Sequence, residues 1–317
     1  MPLHYELSDL RLLLILMRTR SLSASGEAAH LTTSAVSLRL RKLEDGIGAQ
    51  LFTRTGKGLV PTEAGTALAE AAVPILAEAA ALDARLNPFS KHDPEPLRIF
   101  SNSTGLQNFL CRIAADYLRE NSSFRAVLTE QRSSLTPEAV LTGEADLGLI
   151  GGIRELSPAY RTKLELVQFV EDRHVVILPR DSSAAQQFKN RPILFAELLN
   201  LRFAALTDAS PMTAAMKERA LAAGFRFEPI IEAPSFSLLV ELVARGPLAA
   251  VVPASAVPPN APVEVRELED SWAARPLAFV LPKARPALPS AIDFVEFALR
   301  TQKDKHHCVT ICIPIRA

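Results

Sequence analysis

Proline placement constrains this chain more than any other feature of its sequence. Of 23 prolines, only Pro2 and Pro61 precede Pro74. Proline removes a backbone donor and clashes with the preceding turn, so residues 3–60 are free to be mostly helical. From Leu97 onward, short β-rich runs alternate with helical stretches, the pattern of α/β layers. Between them, TEAGTALAEAAVPILAEAAALDARL (62–86) is rich in alanine and leucine and predicts one long helix. Pro74 should bend it and Asn87-Pro88 should end it. SKHDPEP (90–96) reads as a hinge. At 317 residues the chain is too long for one comfortable core and suits two or three.

Lys plus Arg (35) balances Asp plus Glu (35), so any nucleic-acid-binding surface must be local. Three cysteines exclude a disulfide scaffold and fit a reducing compartment. The longest apolar run, Leu12 to Met17, is far shorter than the ~20 residues that cross a bilayer. The opening MPLHYELSDLR contains acids and no apolar signal core. The expectation is a cytoplasmic chain with no membrane partner.

Ser8-Asp9 can cap a first helix through Leu10–Thr19, with Leu10, Leu13, Leu14 and Met17 on one face. A second helix starts near Ser23 and runs to His30. After a tight turn at Leu31-Thr32, Thr32 can cap a third, TSAVSLRLRKLEDG, ending at Gly46 or Gly48. Val36, Leu40 and Leu43 form its buried stripe, while Ser34, Leu38, Arg41 and Asp45 face outward with Lys42 beside them. QLFTRTGKGLVPT (50–62) reads as a small hairpin that raises Arg54 and Lys57 beside this helix. Residues 33–60 carry a net charge of +3. This is a winged helix-turn-helix pattern, with charge concentrated where DNA lies. Ser34, Ser37, Leu38 and Arg41 are candidate base contacts; Thr32 and Thr33 suit phosphate at the helix N-terminus. Lys42, Arg54 and Lys57 complete the expected DNA-binding set.

Residues 9–65 also resemble the DNA-binding domain of LysR-type transcriptional regulators. The residues that carry the resemblance are the SLS opening, His30, AVS (35–37), RKLE (41–44), LF-R (51–54), the glycine wing and PTEAG (61–65). Thr33-Ser34 departs from the family's usual Gln-Pro, and Leu38 replaces a common polar residue. The resemblance extends more weakly to about residue 305. It implies two α/β lobes like those of periplasmic solute-binding proteins, a small-molecule effector between them, and homodimers or homotetramers.

The expected fold class is therefore α plus α/β. Residues 1–62 form the winged helix-turn-helix, 63–90 the dimerisation helix and hinge, 91–305 the effector domain, and 306–317 a tail. Lobe I should comprise about 97–167 and 268–305, and lobe II about 168–267. Leu68, Ala72, Ile75, Ala79 and Leu82 form the expected dimer seam. Ligands in such sheets sit at the C-terminal strand ends. Those ends carry Ser101, Asn102, Ser103, Thr104, Arg132, Ser133, Thr207 and Ser210. This set suits a small carboxylate or other anion with Arg132 as counter-ion, and Ser101, Asn102 and Thr207 stand highest on the family resemblance.

No cofactor, metal site or catalytic set is expected. His92, Asp93, Asp172 and His174 read as exposed linker and strand-edge residues, and Cys111 as a small core residue. GLIGG (148–152) lacks dinucleotide spacing. HHCVTIC (306–312) lacks a standard zinc spacing and reads as a loose tail. The favoured function is a ligand-controlled transcription regulator. The competing class is a cytoplasmic α/β solute-binding protein or enzyme with a helical appendage. Such an enzyme needs a convergent acid, base or nucleophile set, which the sequence does not display.

Overall fold

The computed structural model describes residues 5–56, 58–86, 89, 95–153, 156–189, 191–207, 210–283 and 285–306. Helices α1 (Leu7–Thr19), α2 (Leu22–Ala29) and α3 (Thr33–Ile47) precede the hairpin of β1 (Phe52–Thr55) and β2 (Gly58–Pro61). Caps set each boundary: the Asp9 carboxylate accepts from Glu6 N at 3.0 Å, and Ser21 and Thr32 accept from Ala24 N and Ala35 N. Gly48 ends α3 in the left-handed conformation. The apolar stripes predicted from spacing meet in one core of Leu10, Leu13, Leu16, Val36, Leu40, Leu43, Leu51 and Leu59. The wing is tied to the turn after α1 by a hydrogen bond from Leu59 N to Arg20 O.

Helix α4 (Glu63–Leu86) runs unbroken in secondary structure through Pro74. Its residues divide between two environments. Ala69, Ala72 and Leu76 belong to the winged-helix core, with Leu68 against it, whereas Ile75, Leu82 and Leu86 are exposed. The predicted seam is thus corrected: Leu68 and Ala72 are used by their own domain. The free stripe is Ala67, Ala71, Ile75, Leu82 and Leu86. By length and composition α4 could also cross a membrane, although Glu70 and Glu78 interrupt its apolar stretch. In this fold that apolarity serves the core and the stripe.

Lobe I contains β3 (Leu97–Ser101), α5 (Ser103–Gly105), a π-helical turn Leu106–Leu110, and α6 (Cys111–Glu120). Next come β4 (Ala126–Glu130), α7 (Thr136–Leu141), β5 (Leu147–Gly151), α8 (Pro158–Lys163) and β6 (Leu164–Glu171). Lobe II contains β7 (His174–Pro179), α9 (Ser183–Gln187), β8 (Ala204–Leu206), α10 (Pro211–Ala222), β9 (Ile231–Ala233), α11 (Phe236–Arg245), β10 (Ala250–Pro253) and β11 (Val263–Glu267). The chain then returns to lobe I as β12 (Pro276–Pro282) and α12 (Pro289–His306).

The lobe I sheet has the order β4-β3-β5-β12-β6, with β12 antiparallel to both neighbours. In lobe II, β7 lies between β10 and β11, and β8 pairs in parallel with β9. β6 stays in the lobe I sheet to Glu171, while Leu268 and Ala273 pack in the lobe II core. The crossings therefore fall at residues 172–173 and 274–275, not at 167/168 and 267/268. Apolar periodicity cannot reveal which sheet a strand joins. Lobe I also touches the winged helix: Arg18 of α1 pairs with Glu144 at 3.1 Å.

Candidate functional site

The third helix presents two faces. Val36, Leu40 and Leu43 are almost wholly buried, whereas Thr32, Thr33, Ser34, Leu38, Arg41 and Lys42 are exposed and Ser37 is half-buried. Leu38 is 55% exposed, far from the core-facing alternative for a leucine. Arg54, on β1, donates to the Ser37 hydroxyl at 3.3 Å, so the wing's cation is held against the helix. Lys57 lies outside the described residues. Glu44 explains the acid of RKLE: its carboxylate accepts from Leu51 N at 2.8 Å and Phe52 N at 3.3 Å, anchoring the wing to α3. Between helix and wing lies an open groove of about 880 Å³. Arg39 leaves the basic face, because it bonds Ser8 at 2.7 Å and pairs with Asp9 at 3.3 Å on α1.

The strand ends of lobe I bring part of the predicted effector set together. Asn102 Oδ1 caps the following turn by accepting from Gly105 N at 2.9 Å, and its Nδ2 donates to Ser133 Oγ at 2.8 Å. Gly151 N reaches the same hydroxyl at 3.4 Å, so Asn102, Ser133 and the end of β5 form one polar patch. Ser103 borders it half-buried. Ser101 does not face it. That residue is fully buried and its hydroxyl donates to Leu149 O at 2.7 Å. Thr104 is also buried, so both carry the loop from behind. In lobe II, Thr207 is exposed beyond β8, and Ser210 caps α10 through Met212 N. Arg132 is exposed, and its carbonyl accepts from Leu135 N and Thr136 N at the start of α7. Asp208 falls outside the described residues.

A second polar cluster occupies the crossing between the lobes, and sequence reading missed it. Asp172 is buried and accepts from Ser255 N at 3.1 Å and Ser255 Oγ at 2.8 Å. Ser255, from lobe II, in turn accepts from Asn108 of lobe I at 3.0 Å. Burial raises the Asp172 pKa, against the opposing hydrogen bonds from Ser255 and the Arg275 charge. Burial, and then Arg275, pushes the His174 imidazole down to about 4. Asp172 and His174 are thus not the exposed strand-edge residues expected. They sit where the chain changes lobes, a long-range placement with no local signature. Cys111 is exposed, not a core residue. His92, Asp93 and the Cys308–Cys312 segment lie outside the described residues.

A wing-bearing three-helix domain, a long connecting helix and two α/β lobes joined by a double crossing define a helix-turn-helix protein with an appended solute-binding-like module. Two family models match it. One, described as a bacterial regulatory helix-turn-helix protein of the lysR family, covers residues 7–66, and the LysR substrate binding domain covers residues 90–303. The chain belongs to the LysR family. Among relatives, it is 28% identical over 215 residues to the RuBisCO operon transcriptional regulator of Allochromatium vinosum, covering 68% of each chain. Its match to the HTH-type transcriptional regulator YeiE of Escherichia coli is 28% identical, covers 58% of this chain and spans 60% of that protein's length. The fold matches a full-length OxyR variant from Pseudomonas aeruginosa, with TM-score 0.60, 20% identity and 94% and 95% of the two chains covered. It also matches full-length CbnR complexed with its target DNA, with TM-score 0.52, 18% identity and coverage of 94% and 100%.

Proposed function

We propose that this protein is a sequence-specific DNA-binding transcription regulator, without enzymatic activity, that acts in the cytoplasm under control of a small molecule held between its lobes. The observation that carries the reading is the division of α3, with Ser34, Leu38 and Arg41 exposed along one side and Val36, Leu40 and Leu43 sealed on the other. A helix so backed can enter a major groove without losing its core. Ser34, Ser37, Leu38 and Arg41 meet base edges, while Thr32, Thr33, Lys42, Arg54 and Lys57 meet phosphate or the minor groove.

The Asn102–Ser133 patch and Thr207 face an effector with oxyanion character, and ligand binding shifts the population of lobe angles. The apolar α4 stripe supports pairing with a second copy. Val127 and Leu128 on β4, and Ile230 and Ile231 at β9, leave apolar sheet edges for further contacts within a homodimer or homotetramer. Gel shifts with genomic fragments at two salt concentrations test the central claim, because phosphate contacts make binding fall steeply with salt. Absence of any salt-sensitive DNA complex refutes it.

A further inference from the structure

Arg275 lies on the short segment that returns the chain from lobe II to β12. Its side chain is 16% exposed, yet no hydrogen bond from its guanidinium is found among the described residues. The approach of its Nη1 to Asp172 is 3.8 Å, too long for a hydrogen bond. The Asp172 oxygens are instead taken by Ser255. The guanidinium lies against the end of β5: a Cβ added at Gly151 would stand 2.8 Å from its Nε and 3.2 Å from its Nη2. Only a residue without a side chain leaves this seat open. Gly151 N is the group that reaches Ser133 Oγ, itself held by Asn102. The cation, its donors unspent among the described residues, thus adjoins Gly151, whose amide is tied to Ser133 and through it to Asn102.

We propose that Arg275 is the charge that receives the oxyanion of a small-molecule effector at the floor of the interlobe cleft, and that Arg132 is not. This rests on the reading that the cleft takes a small molecule. The guanidinium still reaches solvent and makes no hydrogen bond among the described residues, so an incoming carboxylate or phosphate can take its donors in bidentate geometry. Arg132 stands in solvent, where its charge is screened. An anion seated on Arg275 touches the segment connecting the lobes, so occupancy bears directly on their angle.

The test uses the full chain and its single tryptophan, Trp272, three residues from Arg275, as a fluorescence reporter. Acetate, succinate and inorganic phosphate are titrated at constant ionic strength, with acetamide as the uncharged control. The expected result is a saturable response to at least one anion and none to acetamide. Arg275→Gln should raise the half-saturating concentration about ten- to a hundredfold, the range for losing charge-assisted hydrogen bonds. Arg132→Gln should stay within about twofold of the parent. Asp172→Asn, which removes the competing acid, should tighten the response, and this variant decides the matter if Arg275→Gln does not fold. An unchanged Arg275→Gln titration, an equal loss in Arg132→Gln, an unchanged or weaker response in Asp172→Asn, or no response of the parent to any anion overturns the assignment. Stabilisation by an uncharged metabolite, equal in parent and Arg275→Gln, also overturns it but leaves the cleft reading standing.

Discussion

Gly143 follows α7 with φ of +74°, and a Cβ placed there would lie 2.6 Å from the Ala80 Cβ on α4. Gly143→Ala therefore carries two separable costs. The left-handed conformation disfavours any residue with a Cβ by ~1–2 kcal/mol. The methyl–methyl overlap is the second, since carbons rest at about 3.5–4.0 Å and α4 must part from lobe I by about 1 Å. That separation also loosens the adjacent Arg18–Glu144 pair, worth at most ~1 kcal/mol because Glu144 is 39% exposed. Together these predict a loss of about 2–3 kcal/mol.

Ala80→Gly makes room at the cost of helix propensity, ~1 kcal/mol. In the double variant the backbone strain of position 143 remains but the overlap is gone. It should therefore be about 1 kcal/mol more stable than the sum of the single losses. Urea unfolding of the parent, both single variants and the double, followed by circular dichroism, measures this coupling. Additivity within ~0.3–0.5 kcal/mol refutes the reasoning, because it means that α4 and the turn after α7 do not touch in solution.

Leu38→Ala should weaken cognate DNA binding by ~1–3 kcal/mol and relax preference at one A·T position without changing the salt slope, since a leucine can touch only a thymine methyl. Equal loss on cognate and scrambled DNA makes the residue structural. Arg54→Ala should weaken all sequences alike and flatten the salt dependence, read from isotherms at two salt concentrations. Leu82→Glu, on the exposed α4 stripe, should convert the oligomer to monomer in sedimentation at micromolar concentration with little change in melting temperature; an unchanged sedimentation profile removes α4 from the interface. For His174 the folded pKa of about 4 lies below the ordinary 6.5. The unfolded chain binds the proton first as pH falls, so stability is lost from about pH 6.5 down to about 4, by up to ~3 kcal/mol. Unfolding free energies across that range should be flatter in His174→Gln, and parallel pH profiles contradict this.

The winged helix was legible in the sequence because its signals are local. Leucines at spacings of three and four, the Thr32 cap and the Gly48 stop lie within a few residues of the structure they dictate. The outward position of Leu38 followed from the same periodicity. The alternation of β-rich runs with helical stretches was legible too, but not β11, whose VEVRE stretch mixes valine with charge and becomes a strand by pairing with β7. Only tertiary packing decided which polar groups remain free. Ser101 and Asn102 are neighbours in one loop, yet the first is spent on Leu149 O and the second turns toward Ser133. Likewise Arg39 and Arg41 are alike in sequence, but α1 claims the first. Arg275 stands far along the chain from Gly151 and meets it only through β12, inserted antiparallel between β5 and β6. Periodicity reports which side of an element is apolar, whereas a charge's partners are set by residues a hundred positions away.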